Sequence, residues 1–290
     1  MLCSLLTVLI LSLSAAGQQT PHERDAIDQL NAMSSEQFKT LYVLAKQGNA
    51  SAQTLLGIAY MHGVRVEVDD STAIRYFTKA AKQRQPIAEN NLGILFFFGR
   101  TGRVDYSQAF RWFSAASHEG HRNAQFNLAL MYDKGYGVPI NKDEAAKWYE
   151  IAARQGEIGA QNNIGYMYES GTGVKQDLQQ AKQWYEEAAL QGSSSGQYNL
   201  GRMFMLEEDH HSALKWFEKA ATQGNHNAIR HVAELYIHGH CMPIDYKAAY
   251  HWLTSHPLDE PWAEKLIQFV RVHLDDQPST VAASAAGQKQ

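Results

Sequence analysis

Three groups of side chains in this sequence carry recognisable chemistry. The densest is His238-Gly239-His240-Cys241, with His210-His211 upstream. Imidazole and thiolate are zinc and copper ligands, so this run invites a metal reading. A structural metal needs four converging donors, however, and no second cysteine or further ligand at firm spacing completes the set. His240 and Cys241 also fall where a turn between helices is expected. Neither a metal site nor a cofactor is expected.

The second group is a series of amides, Asn91, Asn127, Asn163 and Asn199, each 36 residues from the last. A carboxamide donates and accepts, so a row of them can hold the main chain of an extended peptide whatever its side chains. The same amides can instead bond neighbouring helices, since buried amides find partners. The third group is acidic. Glu186-Glu187 and Glu207-Glu208-Asp209 read as solvated faces or loops. The chain contains no Gly-x-Ser-x-Gly, His-Glu-x-x-His or phosphate-loop pattern. A catalytic role needs a convergent polar pocket, and none is legible, so the chain is not expected to be an enzyme.

The amide spacing belongs to a larger periodicity, which dictates the elements that hold these residues. Tyr76, Trp112, Trp148, Trp184, Trp216 and Trp252 are spaced 36, 36, 36, 32 and 36 residues apart. Asp69, Asp105, Asn141, Asp177, Asp209 and Asp245 repeat those spacings, as do Gly57, Gly93, Ala129, Gly165, Gly201 and Ala233. Ala73, Ala109, Ala145, Ala181, Ala213 and Ala249 form a further series. Chance does not give several series sharing one 32-residue irregularity, so six copies of one unit run from residue 49 to 256.

Each copy reads as two helices. In the fourth, 160–168 forms the first, with Ile164, Gly165 and Tyr168 on one face. Gly171 suits a left-handed helix cap, and Asp177 offers an oxygen to the free amides of the next helix. Ala181, Trp184, Tyr185, Ala188 and Ala189 form the inner face of the second helix, with Trp184 expected to fill the space between the pair. The glycines of Gly135-Tyr136-Gly137 and Gly171-Thr172-Gly173 are turn formers. The fifth copy lacks four residues between Phe204 and Asp209, so its connection is shorter and its helices keep their length.

A helix pair cannot bury its apolar face alone, so the six stack and the ends need caps. Residues 18–48 supply two capping helices, with Leu41, Leu44 and Ala45 inward. Residues 257–275 supply a closing helix, with Leu266, Ile267, Val270 and Leu274 inward. The tail 276–290 is Ser/Ala/Gln/Gly-rich and is expected to be disordered. At the start, Leu2–Leu13 is uncharged and Ser14-Ala15-Ala16-Gly17 follows, the pattern of a signal peptide over residues 1–17, cleaved or retained as an anchor. Export to the periplasm or beyond is therefore expected. Removal of Cys3 with that segment leaves Cys241 as the only cysteine, so packing must hold the mature fold. A net charge of −4 gives no basis for nucleic acid as a partner.

The third and fourth copies carry Ala124-Gln125-Phe126-Asn127-Leu128-Ala129, Tyr132, Gly135-Tyr136-Gly137-Val138, Asp143, Ala145, Trp148-Tyr149, Ala152-Ala153 and Gly156, then Gly171-Thr172-Gly173-Val174 and Trp184-Tyr185. These resemble the Sel1-like repeat (SLR), a relative of the tetratricopeptide repeat. Arg65 and Thr101 depart from it at the second turn glycine. The resemblance implies an all-α fold, a right-handed α/α superhelical solenoid of six helix-pair repeats. It also implies a bacterial scaffold or adaptor that binds proteins or extended peptides on a concave face. That face is lined by the first helices, where the residue before the Leu-Gly pair points inward: Asn91, Asn127, Asn163 and Asn199. Phe126, Tyr166 and Tyr198 are then apolar anchors, and Arg202 and Arg230 are partners for a carboxylate. The alternative implied by the family is a cell-wall-active or β-lactam-binding protein, an activity of a branch rich in paired cysteines that this chain lacks.

Overall fold

A computed structural model describes residues 21–100, 102–240 and 242–275. The signal segment 1–17, Thr101, Cys241 and the tail 276–290 lie outside the described residues. The chain divides into two compact units, Met1–Asp177 and Leu178–Gln290. Among the described residues there are fifteen helices and no strand.

The first unit holds α1 (Pro21–Ala32), α2 (Ser35–Lys46), α3 (Ala50–His62), α4 (Asp70–Ala81), α5 (Pro86–Phe97), α6 (Tyr106–His118), α7 (Arg122–Lys134), α8 (Lys142–Arg154) and α9 (Ile158–Ser170). The second holds α10 (Leu178–Leu190), α11 (Ser194–Leu206), α12 (His210–Ala221), α13 (His226–His238), α14 (Tyr246–Thr254) and α15 (Pro261–Asp275). From α2 onward, helices consecutive in sequence within each unit pack on one another, and α1 packs on α3. The pairs α3/α4, α5/α6, α7/α8, α11/α12 and α13/α14 are five of the repeats. The fourth repeat is divided between the units, with α9 in one and α10 in the other.

The helices start and stop where the polar residues demand. Asp69, Asp105, Asn141, Asp209 and Asp245 each accept a bond from the backbone amide three residues on, giving α4, α6, α8, α12 and α14 their N-caps. The first helices α3, α7, α9 and α13 end on Gly63, Gly135, Gly171 and Gly239, all with φ between 66° and 75°.

The most buried large side chain of the second helices is the one after the Tyr76–Trp252 series. Phe77, Tyr149, Tyr185 and Phe217 are fully buried, and Phe113 and Leu253 are nearly so. A Cβ on Gly57 or Gly93 would lie 2.5 Å from the ring of Phe77 or Phe113, and one on Gly201 2.7 Å from Phe217. Glycine therefore lets the ring of the second helix lie flat on the first helix of its own pair. The Tyr76–Trp252 series does something else. Trp184 is buried, but Tyr76, Trp112, Trp148, Trp216 and Trp252 are half-exposed. Trp112 packs on the core around Phe77, and Trp148 on the core around Phe113, with its ring 5.4 Å from His118. These two indoles join one repeat to the preceding one.

The second turn glycine has a neighbour-dependent reason. A Cβ on Gly137 would lie 2.7 Å from the backbone of Tyr106, at the start of the preceding second helix, and one on Gly173 would strike the carbonyl of Lys142. Arg65 occupies the corresponding place in the first repeat, where no repeat precedes it. It takes φ 63°, donates to the carbonyl of Met33 and sets its guanidinium 5.2 Å from the ring centre of Phe38.

At the amino end, Ile27, Leu30, Leu41 and Ala45 of α1 and α2 join the core of the first repeats, whereas Leu44 is 40% exposed and does not. At the other end Val270 of α15 is fully buried, with Leu266, Ile267 and Leu274 packed around it.

Candidate functional site

The amide series divides by repeat. Asn91 is fully enclosed, and neither its Nδ2 nor its Oδ1 has a hydrogen-bond partner. It cannot offer its amide to a peptide in this conformation, which corrects its place in the expected ladder. The reason is local: α5 is enclosed over most of its length, with Glu89, Asn90 and Asn91 all buried. Asn127 is half-buried, and its Nδ2 donates to Oδ1 of Asn90 at 3.2 Å. This rung therefore serves repeat-to-repeat bonding. Asn163 and Asn199 are partly exposed. Asn163 stands beside the buried Tyr149 hydroxyl, which has no well-formed hydrogen bond of its own. Burial, then the carboxylate of Asp133, hold the proton on that hydroxyl, with the Asn163 side chain acting the other way.

In the first unit, Phe126 and Tyr166 flank these amides. Phe126 is half-buried, its ring 5.7 Å from Tyr149 and its edge against Gly159, where a Cβ would lie 3.0 Å from Cε2. Tyr166 is 58% exposed, one turn along α9 from Asn162 and Asn163. In the second unit, Tyr198 is half-buried and stacks on His231 at 5.9 Å, while His231 lies 4.9 Å from Phe217. Arg202 is half-buried on α11. Arg230 is exposed but not idle: its Nε donates to Oε1 of Glu234 at 2.8 Å, and its guanidinium lies 5.8 Å from the ring centre of Trp262. The carboxylate foreseen as a partner's is thus supplied within the chain. The Glu234 carboxyl is held below its ordinary range, chiefly by its bond to His231, with Arg230 adding to it.

The structure also displays a buried amide series that the asparagine pattern overshadowed. Gln53, Gln125, Gln161 and Gln197 are each 2–6% exposed. Their Nε2 atoms donate to the carbonyl eight residues earlier, on Ala45, Ser117, Ala153 and Ala189, at 3.0 to 3.4 Å. Gln83, Gln155 and Gln223 then donate to Oε1 of Gln53, Gln125 and Gln197 at 3.0, 2.6 and 2.8 Å. Gln53, Gln125 and Gln197 thus each tie three helix ends together. The same 36-residue spacing carries this signal in the sequence.

The histidine run converges only loosely. His210 and His240 rings are 5.0 Å apart and His238 and His240 5.7 Å, with His210 Nδ1 3.4 Å from the sulfur of Met205. Among the described residues no group of three His, Cys, Asp or Glu side chains is arranged to hold a metal ion. Of the acidic runs, Glu186 and Glu187 are exposed, and Glu207 pairs with Lys182 at 2.5 Å. Among the described residues no helix is long and apolar enough to cross a membrane.

Comparison with known proteins agrees with this geometry. The Sel1 repeat matches six times, over residues 50–84, 86–121, 122–157, 158–193, 194–225 and 226–255. No curated protein matches the chain. Among solved structures, the chain is similar to c5321, a protective antigen present in uropathogenic Escherichia coli strains that displays an SLR fold. The identity is 31% over 82% of this chain, with a TM-score of 0.78. The match spans 52% of that protein, so this chain corresponds to about half of its length. A Sel1 repeat protein from Oxalobacter formigenes is 30% identical over 80% of this chain and 68% of its own, with a TM-score of 0.68. Six consecutive repeat matches over most of the residues, on helix pairs that pack in sequence, place the chain in the Sel1-repeat family.

Proposed function

We propose that the chain is an exported scaffold that binds other proteins through the first-helix face of its repeats, holding a partner segment in extended conformation. Membership of the Sel1-repeat family supports the scaffold reading, since such repeats typically serve protein interaction. The observation that carries the choice of face is α9, which presents Tyr166, 58% exposed, one turn from the partly exposed Asn163. A large exposed ring beside an amide able to donate and accept is the pairing used to anchor a side chain and grip a main chain. On α11 the half-buried ring of Tyr198 stands next to Asn199, and Arg202 takes the place of Tyr166. The leader-like residues 1–17 support export to the periplasm or the medium. The β-lactam alternative rests on paired cysteines, and Cys3 and Cys241 are the only cysteines here.

The test is binding of the full chain to an array of unstructured peptides, repeated with Tyr166→Ala and Asn163→Ala. The bound set should thin sharply in both variants while the helical circular dichroism stays unchanged. An identical bound set for wild type and both variants overturns the assignment of this face.

A further inference from the structure

The second repeat departs from its neighbours at three linked positions. Glu89 stands at the place of Gln53, Gln125 and Gln197, and Glu119 at the place of Gln83, Gln155 and Gln223. Arg84 stands where the other turns have Gly48, Gly120, Gly156, Gly192 and Gly224, and it keeps their left-handed backbone with φ 58°. L-residues adopt that conformation only at a cost.

The three changes fit one another. In the first repeat Gln83 donates to Oε1 of Gln53 and also to the carbonyl of Gly48, both at 3.0 Å. A carboxylate at 119 has no hydrogen to give the carbonyl of residue 84. Instead the guanidinium of Arg84 donates to the Glu119 carboxylate. That leaves Glu89. It is 5% exposed, and its Oε2 has no hydrogen-bond partner. Its glutamine counterparts each give a hydrogen to the carbonyl eight residues back, which here is Ala81. An ionised carboxylate can give none, whereas a protonated one gives one.

We infer that Glu89 holds a proton and gives it to the carbonyl of Ala81, doing for the second helix pair what the glutamine amides do elsewhere, and so makes a clasp that closes in mild acid and loosens as pH rises. A carboxyl enclosed without a partner for its oxygen keeps its proton more readily, and a nearby carboxylate adds to that. The titratable groups that face Glu89 are Glu119, from the end of α6, and Arg84, from the turn after α4. Burial and then Glu119 push the Glu89 carboxyl above its ordinary value, with Arg84 opposing. His121, two residues beyond Glu119, is engaged through Nδ1 with the amide of Ala124. The raised value belongs to the folded chain. Nothing is therefore lost below the unfolded value, where both states hold the proton, and the clasp weakens as pH climbs through the folded value.

The experiment is amide hydrogen exchange on the full chain from about pH 5 to about pH 8, corrected for intrinsic rates. The third pair, with Gln125 and Gln155, serves as an internal control. Protection of α5 and the end of α6 should fall relative to α7 and the end of α8 as pH rises, by up to about tenfold for each unit by which the carboxyl is raised. Glu89→Gln with Glu119→Gln restores the amide pair and should hold the ratio constant. A wild-type ratio that does not change with pH overturns the inference without recourse to any variant. A ratio that still falls in the double variant overturns it as well.

Discussion

The backbone amide of Asp209 donates to the carbonyl of Phe204 at 3.0 Å. The same bond joins Asp69 to Tyr60, Asp105 to Phe96, Asn141 to Tyr132, Asp177 to Tyr168 and Asp245 to Tyr236 at 2.9 to 3.0 Å. In those pairs the donor follows the acceptor by nine residues, and in the fifth repeat by five. The deletion thus removes a turn and keeps the register in which the second helix starts. The shortened connection turns on Glu208, at φ 61°. Inserting four residues with the Gly-x-Gly-Val pattern between Glu207 and Asp209 should leave the helices intact. Lengthening such a loop costs less than about 1 kcal/mol, so the thermal midpoint of the insertion variant should stay close to wild type.

Asp209 also makes a pH prediction. Its side chain accepts from the amide of Ser212 at 3.0 Å, and its bonds to Ser212 lower its carboxyl below the ordinary value. A depressed carboxyl adds stability above its unfolded value and loses it as pH falls through the folded one. Asp209→Asn keeps an N-capping oxygen without the charge. It should flatten the acid limb of α12 melting while leaving the neutral limb little changed, as read by exchange of α12 amides against pH. An acid limb unchanged by the substitution would remove Asp209 from this role.

Gly93→Ala should be costly although alanine is the better helix former. A Cβ there would sit 2.5 Å from two atoms of the Phe113 ring, which is buried. Overpacking of this kind costs about 1–3 kcal/mol. Phe113→Leu in the same chain should recover part of the loss, and a double-mutant cycle by urea unfolding measures the coupling.

Most of the helix-pair architecture was legible in the sequence because its determinants are periodic and local. The Asp69 series caps helices through bonds to amides three residues on, and Gly171 ends one with φ 71°. The partition between core and surface was less legible. A tryptophan and the ring after it, as in Trp148-Tyr149, are adjacent in sequence and equally apolar. Only the packing decides that Tyr149 enters the pair and Trp148 lies on His118. Asn91 and Asn163 share a sequence register, yet one is enclosed and the other partly open. Their neighbours decide that difference: Ile94 and Phe96 follow on α5, and Tyr166 and Tyr168 on α9. Arg230 is engaged by Glu234, one turn away, at 2.8 Å, a pairing that the groove position of the arginine does not reveal.

Gln125→Leu tests the buried clasp directly. The substitution keeps the size roughly and removes two bonds, leaving the Ser117 carbonyl with the Gly120 amide alone and Gln155 Nε2 without Gln125. An orphaned buried polar group costs about 1–3 kcal/mol, while removing both members can be nearly neutral. Gln125→Leu should therefore lower the urea midpoint more than Gln155→Leu, because Gln155 is exposed and can turn to water. Equal losses would mean that the Ser117 carbonyl contributes little.

Tyr166→Ala separates binding from folding. The ring is 58% exposed on α9, so its removal opens no cavity in the core. Surface substitutions away from special features usually change stability by less than about 0.5 kcal/mol. Tyr149→Ala, on the neighbouring helix, removes a ring that is 1% exposed and should cost about 3–5 kcal/mol as buried aromatics do. If Tyr166 anchors a partner, its truncation weakens peptide binding with no shift in melting, whereas Tyr149→Ala shifts melting first and weakens binding only through loss of fold. Measuring both variants by anisotropy and by calorimetry distinguishes an anchor from a support. A Tyr166 variant that melts early and binds normally would assign that ring to structure.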